Sequence, residues 1–118
     1  MEKYIYLTTW TDQGVKDSSN SIHRATAAMD TMETLGAHIY EVYWGTGPYD
    51  LVFMAQVPDH GTAHAVALAM ARRGNIRTTA MRVFDRAEML DIVGSVDDIS
   101  LGRQEAPVTA PDGEAEEE

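Results

Sequence analysis

The chain has 118 residues, no cysteine and a formal net charge of −10, with six of its 19 acids lying beyond Arg103, the last basic residue. That length fits one domain with one core, and the lack of cysteine excludes disulfides, thiolate metal sites and cysteine nucleophiles. Without those six acids the chain carries 13 acids against 9 bases, a net −4, which is not the positive footprint that nucleic acid requires.

Tyr4 to Trp10 sets Ile5 and Leu7 against Tyr4, Tyr6 and Thr8, the alternation of a strand. Thr11-Asp12-Gln13-Gly14 has turn chemistry and predicts a positive φ at Gly14. Asp17 to Ser21 holds capping residues, and Ile22, Ala25, Met29 and Met32, widened by Ala28 and Leu35, mark one face of a helix that stops at Gly36. His38 to Trp44 reads as a second strand, joined through Gly45-Thr46-Gly47-Pro48 to a third that begins at Leu51. Asp59 caps a second helix, whose apolar side is Ala63, Val66, Ala67, Met70 and Ala71. Arg72 and Arg73 lie in its last turn, where cations suit the helix dipole. Ile76 to Phe84 is the fourth strand. Asp85 and Glu88 then form a capping box for a short helix carrying Met89, Leu90, Ile92 and Val93.

This order is β-α-β-β-α-β, an α+β ferredoxin-like arrangement: a four-stranded antiparallel sheet, two helices on one face and a short C-terminal helix. The domain is expected over residues 1–97, followed by an acidic tail containing Pro, Gly and Ala, residues 98–118, which buries too little to order itself. Leu51 to Val57 is apolar at every position except Gln56, so both faces of that strand call for cover. Sheet-on-sheet pairing of two copies supplies the second cover, which predicts a homodimer or a higher homo-oligomer.

Three blocks carry a family resemblance: Leu7-Thr8-Thr9-Trp10-Thr11-Asp12-Gln13-Gly14, Gly47-Pro48-Tyr49-Asp50 and Gly74-Asn75-Ile76-Arg77-Thr78-Thr79. In this order and spacing, over about residues 3 to 94, the chain resembles the GYD domain family of small bacterial proteins. The resemblance implies a fold similar to dimeric ferredoxin-like α+β barrels and brings no substrate or catalytic residue. Nothing in it accounts for the acidic tail.

The ligand-binding candidates are Tyr6, Tyr49, Asp50, Arg77 and Thr79, with no catalytic set identified. A carboxylate beside a phenol at the start of a strand can serve as a general base or anchor a polar ligand. Turn chemistry accounts for the same two residues, since an aspartate after a turn accepts backbone N–H bonds. Arg77 and Thr79 share a face of strand four, where the guanidinium can grip a carboxylate or pair with Asp50 or Asp12. His60 and His64 stand four apart beside Asp59, but a third ligand is missing, so no metal is expected. The serines near His23 lack a nucleophile elbow, and the Gly45–Gly47 turn lacks the lysine and helix of a phosphate loop. No cofactor is expected.

No stretch approaches the ~20 apolar residues of a membrane helix, and Met1 to Ile5 lacks the layout of an export signal. The expected setting is therefore the cytoplasm, without membrane or nucleic-acid partners. The leading reading is a small-molecule-binding or accessory protein acting as a dimeric α+β barrel, with a small apolar or aromatic ligand. One alternative is a cofactor-free enzyme, of oxygenase or isomerase type, acting on small aromatic or carbonyl compounds, by analogy of fold. Another is a protein-interaction module that uses the acidic tail, Glu114 to Glu118.

Overall fold

Alternating side chains organise the sheet. In a computed structural model that describes residues 1–105, and side chains to residue 99, the strands are β1 (Glu2–Trp10), β2 (His38–Trp44), β3 (Leu51–Val57) and β4 (Ile76–Val83). The helices are α1 (Asp12–Lys16), α2 (Ser21–Glu33), α3 (His60–Arg72) and α4 (Arg86–Glu105), with a single 3-10 turn at Ser18–Asn20. The sheet order is β2-β3-β1-β4 and every neighbouring pair is antiparallel. This is the expected split motif, with the β1–β2 and β3–β4 crossovers each carrying a helix over the sheet.

The chain divides into two compact units, Met1–Val83 and the segment from Phe84 onward. In the first, Tyr4, Tyr6 and Thr8 of β1 and Leu51, Phe53, Ala55 and Val57 of β3 are buried against α2 and α3. From the helices, Met32, Ala63, Val66 and Met70 complete this core. In α3 the buried positions recur at i, i+3 and i+7, the stripe predicted for it. The opposite parity, Ile5, Leu7, Val52 and Met54, lies on the other face of the sheet and is half-buried.

Two local predictions are corrected. Thr11 to Gly14 is not a plain turn: Thr11 caps the short helix α1, its hydroxyl accepting from the Gly14 N–H at 3.1 Å. Gly14 does not adopt positive φ; it is required because a Cβ there would stand 2.0 Å from the Asn75 carbonyl oxygen. In α2 the inward stripe is Ser21, Ala25, Ala28, Met29 and Met32, whereas Ile22 is 68% exposed and Leu35 42%. Ile22 is one residue, about 100°, away from Ser21, and that rotation carries it off the sheet. The stop at Gly36 is as expected, with φ 81° and the Ala37 N–H returning to the Met32 carbonyl at 3.1 Å.

The capping box of α4 is present in both directions: Asp85 N–H donates to Glu88 Oε1 at 2.9 Å, and Glu88 N–H to Asp85 Oδ1 at 2.8 Å. The helix runs twenty residues, to Glu105, well beyond the Met89–Val93 stretch from which it was read. No proline interrupts it before Pro107. The remainder of the predicted tail, residues 106–118, lies outside the described residues.

Candidate functional site

The five candidate residues fall in three places. Tyr6 is fully buried under α3, where its hydroxyl donates to the Ala63 carbonyl at 2.9 Å and its ring stacks on Phe53 at 4.5 Å. Burial drives its phenol well above the ordinary tyrosine range, with Tyr4 adding to the effect. Tyr49 and Asp50 close the β2–β3 connection. Asp50 Oδ2 accepts the Trp10 N–H at 2.9 Å, while its own N–H donates to the Thr8 carbonyl at 2.9 Å. Asp50 thus ties the loop to the end of β1, and Tyr49 is left exposed. Arg77 and Thr79 are exposed on the sheet face opposite Tyr6, since their β1 partners are Thr9 and Leu7. The structure joins Tyr49 to Asp50 and Arg77 to Thr79, and it brings neither pair to Tyr6. Arg77 forms no ion pair with Asp50 or Asp12 among the described residues.

The histidine pair at the start of α3 is divided between other duties. His60 Nδ1 lies 3.0 Å from the Tyr4 hydroxyl, and Asp59 Oδ1 accepts the Thr62 N–H at 2.7 Å as the helix cap. That cap and a second Thr62 bond hold the Asp59 carboxyl below its usual range. Tyr4 also donates to Glu2 Oε1 at 3.1 Å, and the Arg82 guanidinium lies 5.9 Å from the centre of its ring. Burial first, then the bond to Glu2, raises the Tyr4 phenol. Among the described residues no group of three or more His, Asp or Glu side chains is placed to hold a metal.

The larger feature is a cleft that sequence reasoning did not identify. It opens between α2, α3 and the helix-side face of the sheet, with a volume of about 590 Å³ including its open mouth. Its floor is apolar, built from Met29, Ile39, Leu51, Phe53, Met70 and Ile76. Its polar lining residues are Trp10, Ser21, Arg24, Arg73 and Asn75. Arg24 Nη1 is held by Asp17, 2.5 Å from Oδ2 and 2.7 Å from the backbone carbonyl. Ser21 Oγ accepts the Trp44 indole N–H at 2.7 Å. Asn75 Oδ1 accepts from Gln13 Nε2 at 3.0 Å. Arg73 is exposed and has no ion-pair partner among the described residues.

Trp10 completes the lining in an uncommon state: its indole Nε1–H is shut away from water and has no acceptor among the described residues. Leaving a buried donor unmet costs about 1–3 kcal/mol, so native structures hold few of them. Period-two reasoning puts Trp10 on the same face as Tyr4, Tyr6 and Thr8, a signal available in the sequence. The approach of Arg73 and Asn75 to it depends on how the α3–β4 turn docks on α1, which no local pattern encodes.

No helix among the described residues is long and apolar enough to cross a membrane. The chain is 26% identical over 91 residues to the glutamine synthetase and cystathionine beta-lyase binding protein of Thermus thermophilus, an alignment covering 76% of this chain and 96% of that one. The GYD domain pattern matches residues 4–93, the stretch that spans all four strands, α1 to α3 and the start of α4. Three motif blocks in order, the split β-α-β-β-α-β topology and this match agree, and the chain belongs to the GYD domain family.

Proposed function

We propose that this chain is a cytoplasmic, homo-oligomeric accessory protein that works by binding other proteins, with metabolic enzymes as the partner class. The observation that carries this reading is the sheet face turned away from α2 and α3. There Ile5, Leu7, Val52 and Met54 of the two central strands form one apolar field, with Tyr43 (59% exposed) and Met81 (46% exposed) beside it. Burying apolar surface is favourable by about 25 cal/mol per Å². A second copy meeting this face about a two-fold axis would present the same residues in return, which is how sheets stack and how most homodimers form.

Arg77 and Thr79 stand on that same face and, in this reading, form its polar margin. Exposed Tyr49 in the β2–β3 connection is a second contact point, aromatic residues being the commonest anchors of protein interfaces. The Thermus relative, named for binding glutamine synthetase and cystathionine beta-lyase, supports the partner class.

The test pairs light scattering of the purified protein with calorimetric titration against glutamine synthetase and cystathionine beta-lyase from the same organism. A dimer mass and saturable binding to either enzyme are expected. A monomer mass at micromolar concentration removes the self-association, and no binding to either enzyme removes the partner class.

A further inference from the structure

We propose that the cleft between α2, α3 and the sheet binds a small molecule with an apolar body and one carboxylate. The site stands apart from the sheet face invoked for protein binding, so the two readings can fail separately.

The polar side chains of the lining set the head group of the ligand. Each polar side chain there has donors to offer and few acceptors left. Arg73 presents a guanidinium without an ion-pair partner among the described residues. Arg24 has one nitrogen engaged by Asp17 and keeps the rest of its fork. Asn75 has its oxygen occupied by Gln13, which leaves its amide N–H groups. Ser21 already accepts from Trp44 and retains its hydroxyl proton. Trp10 also lines the cleft, and its indole N–H, closed to water, has no acceptor among the described residues. Among the described residues no acidic side chain lines the cleft, although acids outnumber bases 19 to 9 in the chain as a whole.

A set of donors around two guanidiniums is complementary to an anion, and the planar fork of arginine matches a carboxylate with two parallel bonds. The floor sets the rest of the ligand. Met29, Ile39, Leu51, Phe53, Met70 and Ile76 offer no polar partner, so the body beyond the head group must be apolar. Small-molecule sites are concave, mostly apolar and oriented by a few placed polar groups, and the lining of this cleft has that make-up. An inorganic anion would satisfy the rim and leave this floor unused. A neutral or cationic amphiphile would fill the floor and leave the donors unmet.

The experiment uses the full chain labelled with ¹⁵N, titrated separately with octanoate, 3-phenylpropionate, octanol, octylamine and inorganic phosphate. The two tryptophan indole N–H signals are followed by NMR, with Trp44→Phe used to assign them. Octanoate or 3-phenylpropionate should shift the Trp10 indole signal saturably, and octanol, octylamine and phosphate should bind at least tenfold more weakly. Arg73→Ala, at an exposed side chain, should weaken carboxylate binding at least tenfold without lowering Tm, and Arg73→Lys should restore part of it. Ala28→Leu, which extends a side chain into the cleft, should weaken the carboxylates and octanol together. The proposal is overturned if neither carboxylate shifts the Trp10 signal, if octanol, octylamine or phosphate binds as tightly, or if Arg73→Ala leaves the carboxylate affinity unchanged.

Discussion

At Gly14 an added Cβ would meet the Asn75 backbone oxygen at 2.0 Å and its carbonyl carbon at 3.0 Å, contacts that no side-chain rotamer relieves. The segment is also pinned at its start, the Thr11 N–H donating to the Asn75 carbonyl at 3.0 Å and the Thr11 hydroxyl to the Gly74 carbonyl at 2.6 Å. Gly14→Ala should therefore destabilise the fold by roughly 1–3 kcal/mol, the range for forced overpacking, and urea unfolding will show it as a lower midpoint at unchanged slope. Tyr6 makes a different kind of contribution, through one buried hydroxyl. Tyr6→Phe should cost about 1 kcal/mol, the net value of a buried hydrogen bond. Its phenol is raised in the folded state, so its stabilisation is complete below the unfolded value near pH 10 and is lost as pH rises from there toward the folded value. Alkaline titration of Tm should accordingly fall less steeply in Tyr6→Phe than in the parent protein.

The helices show how a cap converts a residue type into an element boundary. Asp59 is extended, φ −161°, and its carboxylate satisfies the free Thr62 N–H in the first turn of α3. Because the folded-state value of that carboxyl is lowered, its stabilisation is present above the unfolded value near pH 4 and is lost as pH falls through the folded one. Asp59→Asn keeps a competent cap at neutral pH and removes the titration, so Tm should decline less between pH 5 and pH 3. At α4 the reciprocal Asp85–Glu88 bonds predict that Asp85→Ala costs that helix about 1 kcal/mol, read as a loss of helical circular dichroism. These boundaries were legible because caps and stops are local: Asp59, Asp85 and Gly36 act on backbone within a few residues of themselves. The facing of α2 was less legible. Ile22 outranks Ser21 on any hydrophobicity scale, yet Ser21 is the residue turned inward, where it receives the Trp44 indole. A partner 23 residues away decided that rotation.

For the whole molecule, the apolar field of Ile5, Leu7, Val52 and Met54 predicts self-association. Met54→Lys places a charge in its middle without entering the helix-side core, Met54 pairing with Ile5 on β1 and Glu41 on β2. The expected result is a shift of the sedimentation coefficient from dimer to monomer, with the circular dichroism of the parent retained. A parent protein that already sediments as a monomer would remove the basis for the prediction.

Fold class and the order of elements along the chain were readable because they rest on periodicity, caps and turns, which neighbouring residues encode. The family was readable from the resemblance carried by three short motif blocks. The two-faced apolar character of Leu51–Val57 was equally plain, since every second side chain of a strand points the same way. The grouping of functional residues was not. Tyr6 and Arg77 sit on strands that are direct neighbours, and side-chain parity sends them to opposite faces of the sheet. Trp10, Arg24, Arg73 and Asn75 are scattered over 66 positions of the sequence, and only the packing of two helices against one face gathers them around a single cleft. Local backbone chemistry sets each element, whereas a site is a long-range contact set, and its members share no sequence signal until the sheet and helices have closed on one another.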